Sequence, residues 1–157
     1  MENNLLESIK ERFNTTDNWK NYLPLLLEAL EQTEGLVLEY GMGDGSTPLL
    51  HDYCKATGRM LISYDGNREW ANKYQHLASD MHKIYYVDNW DEAFNSAATV
   101  VLIDHAPGER RGIDIVKYSK TGAFVVCHDT EPAADHGYQM RQHFKLYNTV
   151  KEIETLS

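Results

Sequence analysis

The sequence predicts an α/β protein with a Rossmann-like, doubly wound, mostly parallel sheet of five to six strands and helices on both faces. Short apolar runs alternate with longer amphipathic segments, which is the pattern of βα units. The runs at 36–38, 60–62, 100–103 and 124–126 are continuously apolar, as strands buried on both faces must be. Three glycines at every second position follow the first run and indicate a tight turn from strand to helix.

The predicted elements follow one another in regular order. Helices are expected at 4–12 and 17–32, the second with an apolar stripe that packs on the sheet. Strands are expected at 35–40, 59–64, 83–87, 99–104 and 122–128, with a sixth at 147–153. The helices between and after them are expected at 47–57, 67–79, 107–119 and 136–146. We interpret the chain as one domain, with N-terminal helices at 1–33, a cofactor-binding core at 34–131 and a short substrate-side segment at 132–157.

Composition excludes several classes of partner. The 157 residues carry a net charge of −9, with 15 Lys and Arg against 24 Asp and Glu, so we expect no nucleic-acid partner. No apolar stretch is long enough to span a membrane, and the first residues lack the pattern of a signal peptide. We therefore expect a cytoplasmic protein with no membrane partner. Cys54 and Cys127 have no partner spacing for metal or redox chemistry and are expected to be reduced thiols.

The segment 36–47 has the features of a nucleotide-binding turn. Gly41, Gly43 and Gly45 allow the backbone to approach a ligand, and Ser46 stands at the start of the next helix as a candidate cap. Glu39 lies two residues before the first glycine. Its carboxylate would repel a dinucleotide pyrophosphate but attract a cationic amino group or a sulfonium. A dinucleotide site and a glycine turn that binds nothing are the alternatives.

An acidic residue followed by Gly-x-Gly-x-Gly at the end of the first strand resembles the signature of the class I S-adenosylmethionine (SAM) dependent methyltransferases, and the resemblance extends over about residues 34–131. It implies SAM as the cofactor, bound by Glu39, Gly41, Gly43, Gly45 and Ser46. The chain resembles a small, C-terminally short member, because that family usually ends with two further strands. The N-terminal helices, segment 132–140 or another subunit could complete the site, so a homo-oligomer stays open.

Polar residues at the ends of the second and third predicted strands extend this interpretation. Asp65 comes 24 residues after Gly41, near the spacing at which a carboxylate binds the ribose hydroxyls of an adenosine. Its alternative role is to cap the following helix, although Asn67 is the closer cap. Asp88 or Asn89 would meet the adenine amino group, as the resemblance implies, or form an ordinary turn. The sequence does not decide between these two residues.

The fourth and fifth strands end in Asp104-His105 and His128-Asp129. Both pairs would face the methyl group of a bound SAM, so we predict catalytic roles for His105, His128 and Asp129, with His105 preferred as the general base. The resemblance to small-molecule O-methyltransferases implies a divalent cation, Mg²⁺ or Mn²⁺, held by Asp104 and Asp129. Asp104 could instead contact the cofactor or cap a helix, and His128 could be a histidine bonded to a neighbouring carbonyl.

These features together predict an enzyme. The leading interpretation is a SAM-dependent methyltransferase that acts on a small polar molecule, by O-methylation of a sugar or related metabolite. The first alternative is a protein that binds or degrades SAM without methylating anything. The second is a nucleotide-binding oxidoreductase.

Overall fold

Five parallel strands form a sheet whose order reverses beside the first strand. The computed structural model describes residues 2–14, 20–130 and 132–152. The strands are β1 (Val37–Tyr40), β2 (Leu61–Asp65), β3 (His82–Tyr86), β4 (Val100–Ile103) and β5 (Phe124–Cys127). They are ordered β3-β2-β1-β4-β5, which confirms the predicted fold class. Ligands of such sheets bind outside the carboxyl ends of the strands where the order reverses, here between β1 and β4.

Six helices surround the sheet in the described part of the chain. They are α1 (Glu2–Glu11), α2 (Leu23–Glu31), α3 (Thr47–Thr57), α4 (Arg68–Lys73), α5 (Glu109–Tyr118) and α6 (Pro132–Tyr138). Local chemistry sets two of their ends. Gly58 closes α3 in the left-handed conformation, with φ of 71°, and the Asn67 side chain caps α4 by accepting the Glu69 amide.

The core has two layers because side chains alternate across β1. Val37 joins a cluster with residues of α1, α2 and α3, and the α2 members of the predicted apolar stripe, Leu23, Leu26, Leu27 and Leu30, belong to it. Leu38 and Tyr40 face the other way and pack with α5. The Tyr40 hydroxyl lies 2.7 Å from that of Tyr118, so two buried phenols satisfy each other across this layer.

Several predicted boundaries are wrong. The helix expected at 17–32 begins at Leu23, and residues 17–19 lie outside the described residues. The helix expected at 67–79 ends at Lys73 and is followed by a 3-10 turn. The helix expected at 136–146 is divided into α6 and a 3-10 segment at 141–146, because Gln139 between them adopts a positive φ of 58° that no helix accommodates.

The prediction of a sixth strand is also wrong for the residues that the structure describes. Residues 147–152 contain no strand, and Ile153 lies outside the described range. The Tyr147 hydroxyl donates to the Ile115 carbonyl at 2.6 Å, which anchors this segment on α5 rather than on the edge of β5. Among the described residues, no helix is long and apolar enough to cross a membrane.

Candidate functional site

The glycines of the turn after β1 have different roles. Gly41 has φ of +91°, and a Cβ placed on it would lie 2.2 Å from the carbonyl oxygen of Asp104. It is therefore required where β1 and β4 approach each other. A Cβ on Gly43 would meet nothing within 4 Å, whereas one on Gly45 would touch the Lys20 side chain. A side chain at Gly43 would therefore project into open space, whereas the lack of a side chain at Gly41 is required by its surroundings.

Glu39 lies beneath this turn and is fully buried. Its carboxylate accepts hydrogen bonds from the hydroxyls of Ser46 at 2.5 Å, Ser63 at 2.8 Å and Thr47 at 3.0 Å. Burial raises the pKa of Glu39 to about 7, against the lowering effect of these three hydroxyls. In this arrangement Glu39 supports the turn from below rather than facing a ligand directly. Ser46 occupies the cap position of α3, but its hydroxyl serves Glu39 instead of the helix.

Asp65 joins two loops at the carboxyl edge of the sheet. One carboxylate oxygen accepts the Met42 amide and the other accepts the Asn67 amide, both at 2.8 Å. Burial raises the pKa of Asp65, and these two amides act in the opposite sense. Each carboxylate oxygen has a second lone pair, so the proposed ribose contact is compatible with this loop-holding role.

The residues after β3 divide between surface and interior. Asp88 and Asn89 are exposed, and the Asn89 side chain accepts the Asp91 amide in a local turn. Trp90 is buried against Tyr40, and its indole N–H donates to the Ala106 carbonyl at 3.1 Å.

Three predicted site residues meet at the ends of β4 and β5. His128 Nδ1 lies 3.2 Å from Asp104 Oδ1, and His128 Nε2 lies 3.5 Å from Asp129 Oδ1. One ligand atom from each of the three residues lies within 4.8 Å of the others, and all three are partly accessible. Asp129 adopts a positive φ of 58°, a conformation that aspartate tolerates better than most residues. Backbone conformations of this kind are common at functional sites.

Neighbouring groups fix this cluster of Asp104, His128 and Asp129. Burial alone would lower the pKa of His128, but its hydrogen bond to Asp104 and the charges of both carboxylates outweigh burial and raise the pKa. The Tyr22 ring packs on the imidazole with centroids 4.6 Å apart. The buried Arg111 donates to the His105 carbonyl at 2.7 Å and to the His128 carbonyl at 3.4 Å, which joins the two strand ends.

The preference for His105 as the base must be corrected. The residue is 1% exposed, and its Nε2 lies 2.7 Å from the buried Asp114. Burial lowers the pKa of His105 despite this carboxylate. Among the described residues, no hydrogen-bond partner meets its Nδ1. Asp104 and His128 are partly exposed whereas His105 is buried against Asp114, so His128 is the accessible one of these two histidines.

A cleft of about 900 Å³ reaches the cluster at Asp129 and lies among α2, β5 and the C-terminal segment. Much of its lining is apolar or aromatic, as in Leu25, Phe124, Phe144 and Tyr147. Two ion pairs also line it, Lys151 with Glu28 and Arg141 with Glu152. A molecule with an apolar body and a polar end would fit this lining better than a fully polar one.

The cluster also fits a divalent cation. Its two carboxylates are the oxygen ligands expected for Mg²⁺ or Mn²⁺, and the imidazole favours a transition metal. Arg111 Nη2 stands 3.4 Å from Asp104 Oδ1 and would share that carboxylate with a cation.

Sequence reasoning missed Asp114 and Tyr22 as members of the site. The sequence could have indicated a partner for Asp114, because it lies four residues after Arg110 on a helix. The two residues form an ion pair at 2.9 Å. Nothing local to Tyr22 in the sequence indicated its contact with His128.

The chain was compared with family models, curated proteins and solved structures, and no match was found in any of the three.

Proposed function

We propose that this protein is a SAM-dependent methyltransferase for a small hydroxylated acceptor. The observation that carries the proposal is the placement of Asp104, His128 and Asp129 at the carboxyl ends of β4 and β5. Gly41 of the glycine turn lies in backbone contact with Asp104 at the same edge. A cofactor over Gly43 and an acceptor beside His128 would therefore be neighbours.

The cofactor would lie along the edge between β1 and β2. Gly43 leaves open space for it, and Asp65 offers unused lone pairs to two ribose hydroxyls. Asp88 or Asn89 would contact the adenine. Glu39 would contribute through the turn that it supports, since its carboxylate is already bonded to three hydroxyls.

The acceptor would occupy the cleft with its hydroxyl at the cluster. In the reaction, the bond between methyl carbon and sulfonium sulfur breaks with its electron pair going to sulfur, and a carbon–oxygen bond forms at the acceptor. The acceptor proton passes to His128, and the two carboxylates beside the ring stabilise the imidazolium that results. The apolar lining favours an acceptor with an aromatic or aliphatic body over the sugar that the sequence suggested.

Titration calorimetry with SAM and with S-adenosylhomocysteine tests the cofactor. We expect binding to wild type and its loss in Gly43→Val, because the new side chain would fill the open space. Gly137→Val is the matched control, since a Cβ there also meets nothing within 4 Å. Unchanged affinity in a folded Gly43→Val variant would refute the site, and binding of NAD in place of SAM would favour an oxidoreductase.

Incubation with SAM and a panel of phenols, aliphatic alcohols and sugars tests the reaction. We expect S-adenosylhomocysteine together with a methylated acceptor, and a fall in turnover of about 10²–10⁴-fold in His128→Ala. His76→Ala, at the surface, serves as the control. SAM cleavage without a methylated product would favour the SAM-degrading alternative, and binding without any turnover would favour a SAM-binding protein.

A second candidate property, a divalent cation at Asp104, His128 and Asp129, is favoured by the convergence of their ligand atoms. A cation there would make a bound hydroxyl easier to deprotonate, and it would replace His128 as the group that promotes deprotonation, because the imidazole would then be a ligand rather than a base. Electron paramagnetic resonance of added Mn²⁺ tests binding without any turnover. Asp129→Asn is suited to the test because Asn also tolerates a positive φ, and it should weaken binding at least about tenfold. The exposed control is Asp80→Asn. Equal Mn²⁺ binding by wild type, Asp129→Asn and this control would refute the proposed cation site.

A further inference from the structure

A continuous chain of side-chain hydrogen bonds runs from the surface to Glu39. His51 Nδ1 lies 2.9 Å from His82 Nδ1, and His82 Nε2 lies 2.9 Å from Ser63 Oγ. Ser63 Oγ in turn donates to Glu39 Oε1 at 2.8 Å. His51 is half-buried and reaches solvent, whereas the other three residues are buried. The chain thus joins solvent to a carboxylate that has no exposure of its own.

The fold places these residues in line. Glu39 and Ser63 are register partners on β1 and β2, so their side chains share one face of the sheet. His82 on β3 stands two residues before Ile84, the partner of Ser63, and therefore lies on the same face. Helix α3 provides His51, one turn after the Thr47 that also bonds Glu39.

The positions of the protons follow from counting donors. Ser63 has one hydroxyl proton, and Glu39 accepts it when ionised, so His82 Nε2 must donate to Ser63. A neutral His82 then has only a lone pair at Nδ1. His51 must therefore carry its proton on Nδ1 and donate it to His82. In each of these hydrogen bonds the donor is therefore the residue nearer to solvent and the acceptor is the residue nearer to Glu39. This is the orientation required to pass a proton inward.

We propose that His51, His82 and Ser63 form a proton relay through which the buried Glu39 exchanges its proton with solvent. A proton from water arrives at His51 Nε2, and the Nδ1 proton of His51 passes to His82 Nδ1. The Nε2 proton of His82 passes to Ser63, and the Ser63 hydroxyl proton passes to Glu39 Oε1. After the transfer, His51, His82 and Ser63 are again neutral, with the proton of His51 now on Nε2 and that of His82 now on Nδ1. Glu39 has gained one proton, and water has lost one.

The surroundings permit this exchange near neutral pH. Burial raises the pKa of Glu39 to about 7 and lowers the pKa of His82 to about 4, so Glu39 titrates while His82 stays neutral. Burial also lowers the pKa of His51. The other titratable or charged groups near these residues are Asp104, Tyr22, Cys54 and Tyr74 around Glu39, and Asp52, Lys55 and His76 around His51.

The relay would let Glu39, which supports the glycine turn, gain or lose its proton without water entering the core. Thr47 donates to Glu39 and accepts the Gly43 amide at 3.0 Å, so the charge on Glu39 acts on the turn through one hydroxyl. This inference needs no ligand and stands whether or not the protein binds SAM.

Nuclear magnetic resonance of the imidazole nitrogens tests the relay in the intact protein. Above the Glu39 midpoint, we expect the Nδ1–H tautomer for His51 and the Nε2–H tautomer for His82. Below it, both should change to the opposite tautomer, with the same midpoint as the Glu39 carboxyl carbon. Tautomers that stay constant through the titration of Glu39 would overturn the proposal, as would a Glu39 that stays ionised throughout.

Variants at Ser63 separate the relay from the fold. Ser63→Ala should abolish the coupling between the His82 tautomer and Glu39, whereas Ser63→Thr keeps a hydroxyl and should restore it. His76→Gln removes a nearby histidine that is not part of the hydrogen-bonded relay, and it should leave the coupling between the tautomers and Glu39 intact, although the pKa of His51 can change. Circular dichroism verifies that each variant is folded. Tautomers that still follow Glu39 in a folded Ser63→Ala variant would refute the route, and the wild-type titration decides the matter even if this variant does not fold.

Discussion

Replacing Gly41 by alanine should reveal how closely β1 and β4 are joined. A non-glycine residue at φ of +91° costs about 1–3 kcal/mol in backbone strain. The new Cβ would also lie 2.2 Å from the Asp104 carbonyl, which is backbone and cannot rotate away. Overpacking of this kind costs about another 1–3 kcal/mol. The expected total is about 4 kcal/mol, a large part of the about 5–15 kcal/mol that stabilises a typical domain.

Urea and thermal unfolding measure this loss. At about 2–4 °C per kcal/mol for a chain of this size, Tm should fall by about 8–16 °C. Gly43→Ala is the matched control two residues away, because its Cβ meets nothing within 4 Å, and it should stay within about 1 kcal/mol of wild type. A Gly41→Ala variant within about 1 kcal/mol of wild type would show that the two strand ends are not in the contact described.

Three further changes test the interior of the site by chemical denaturation. Asp65→Ala should lower the free energy of unfolding by about 2–3 kcal/mol because two amides lose a charged acceptor, and equal stability would exclude the loop-holding role. The Glu39 pKa is raised from 4.5 to about 7, so the stability it contributes is full below pH 4.5 and is lost as pH rises through 7. Relative to Glu39→Gln, wild type should therefore lose up to about 1.4 kcal/mol per pH unit in that window, and parallel pH profiles would contradict the raised pKa. Asp114→Ala should cost about 3–5 kcal/mol because His105 and an arginine lose a buried acceptor, whereas Asp91→Ala at the exposed end of that network should change little.

The sequence predicted most of the sheet from apolar runs at four of its strands, although the expectation that 124–126 is buried on both faces is wrong, because β5 is an edge strand whose Phe124 is 44% exposed. Runs such as 100–103 can only be buried on both faces, and all five predicted strands are present within two residues of their expected ends. The prediction failed in the C-terminal segment, where a sixth strand was expected at 147–153. Strand formation there depends on tertiary contacts, and Tyr147 is bonded to α5 instead.

The sequence predicted where the candidate site lies in the fold, but it did not predict which of its histidine side chains is accessible. Strand ends placed Asp104, His128 and Asp129 together, as the rule for parallel sheets requires. Which histidine remained accessible could not be read from the sequence, because His105 and His128 both stand beside an aspartate. Asp114, a full helix turn into α5, draws His105 inward, and that contact exists only in the folded chain.

Asp65 has a consequence for how rapidly and how tightly this edge could capture any ligand. By bonding one amide from the turn after β1 and one from the loop after β2, it holds two loops in a fixed relation before anything binds. Fixing one backbone residue costs about 1–2 kcal/mol of conformational entropy, and here that cost is met during folding. A ligand would meet a preorganised edge, so its association should require little rearrangement and its affinity should not be reduced by loop ordering.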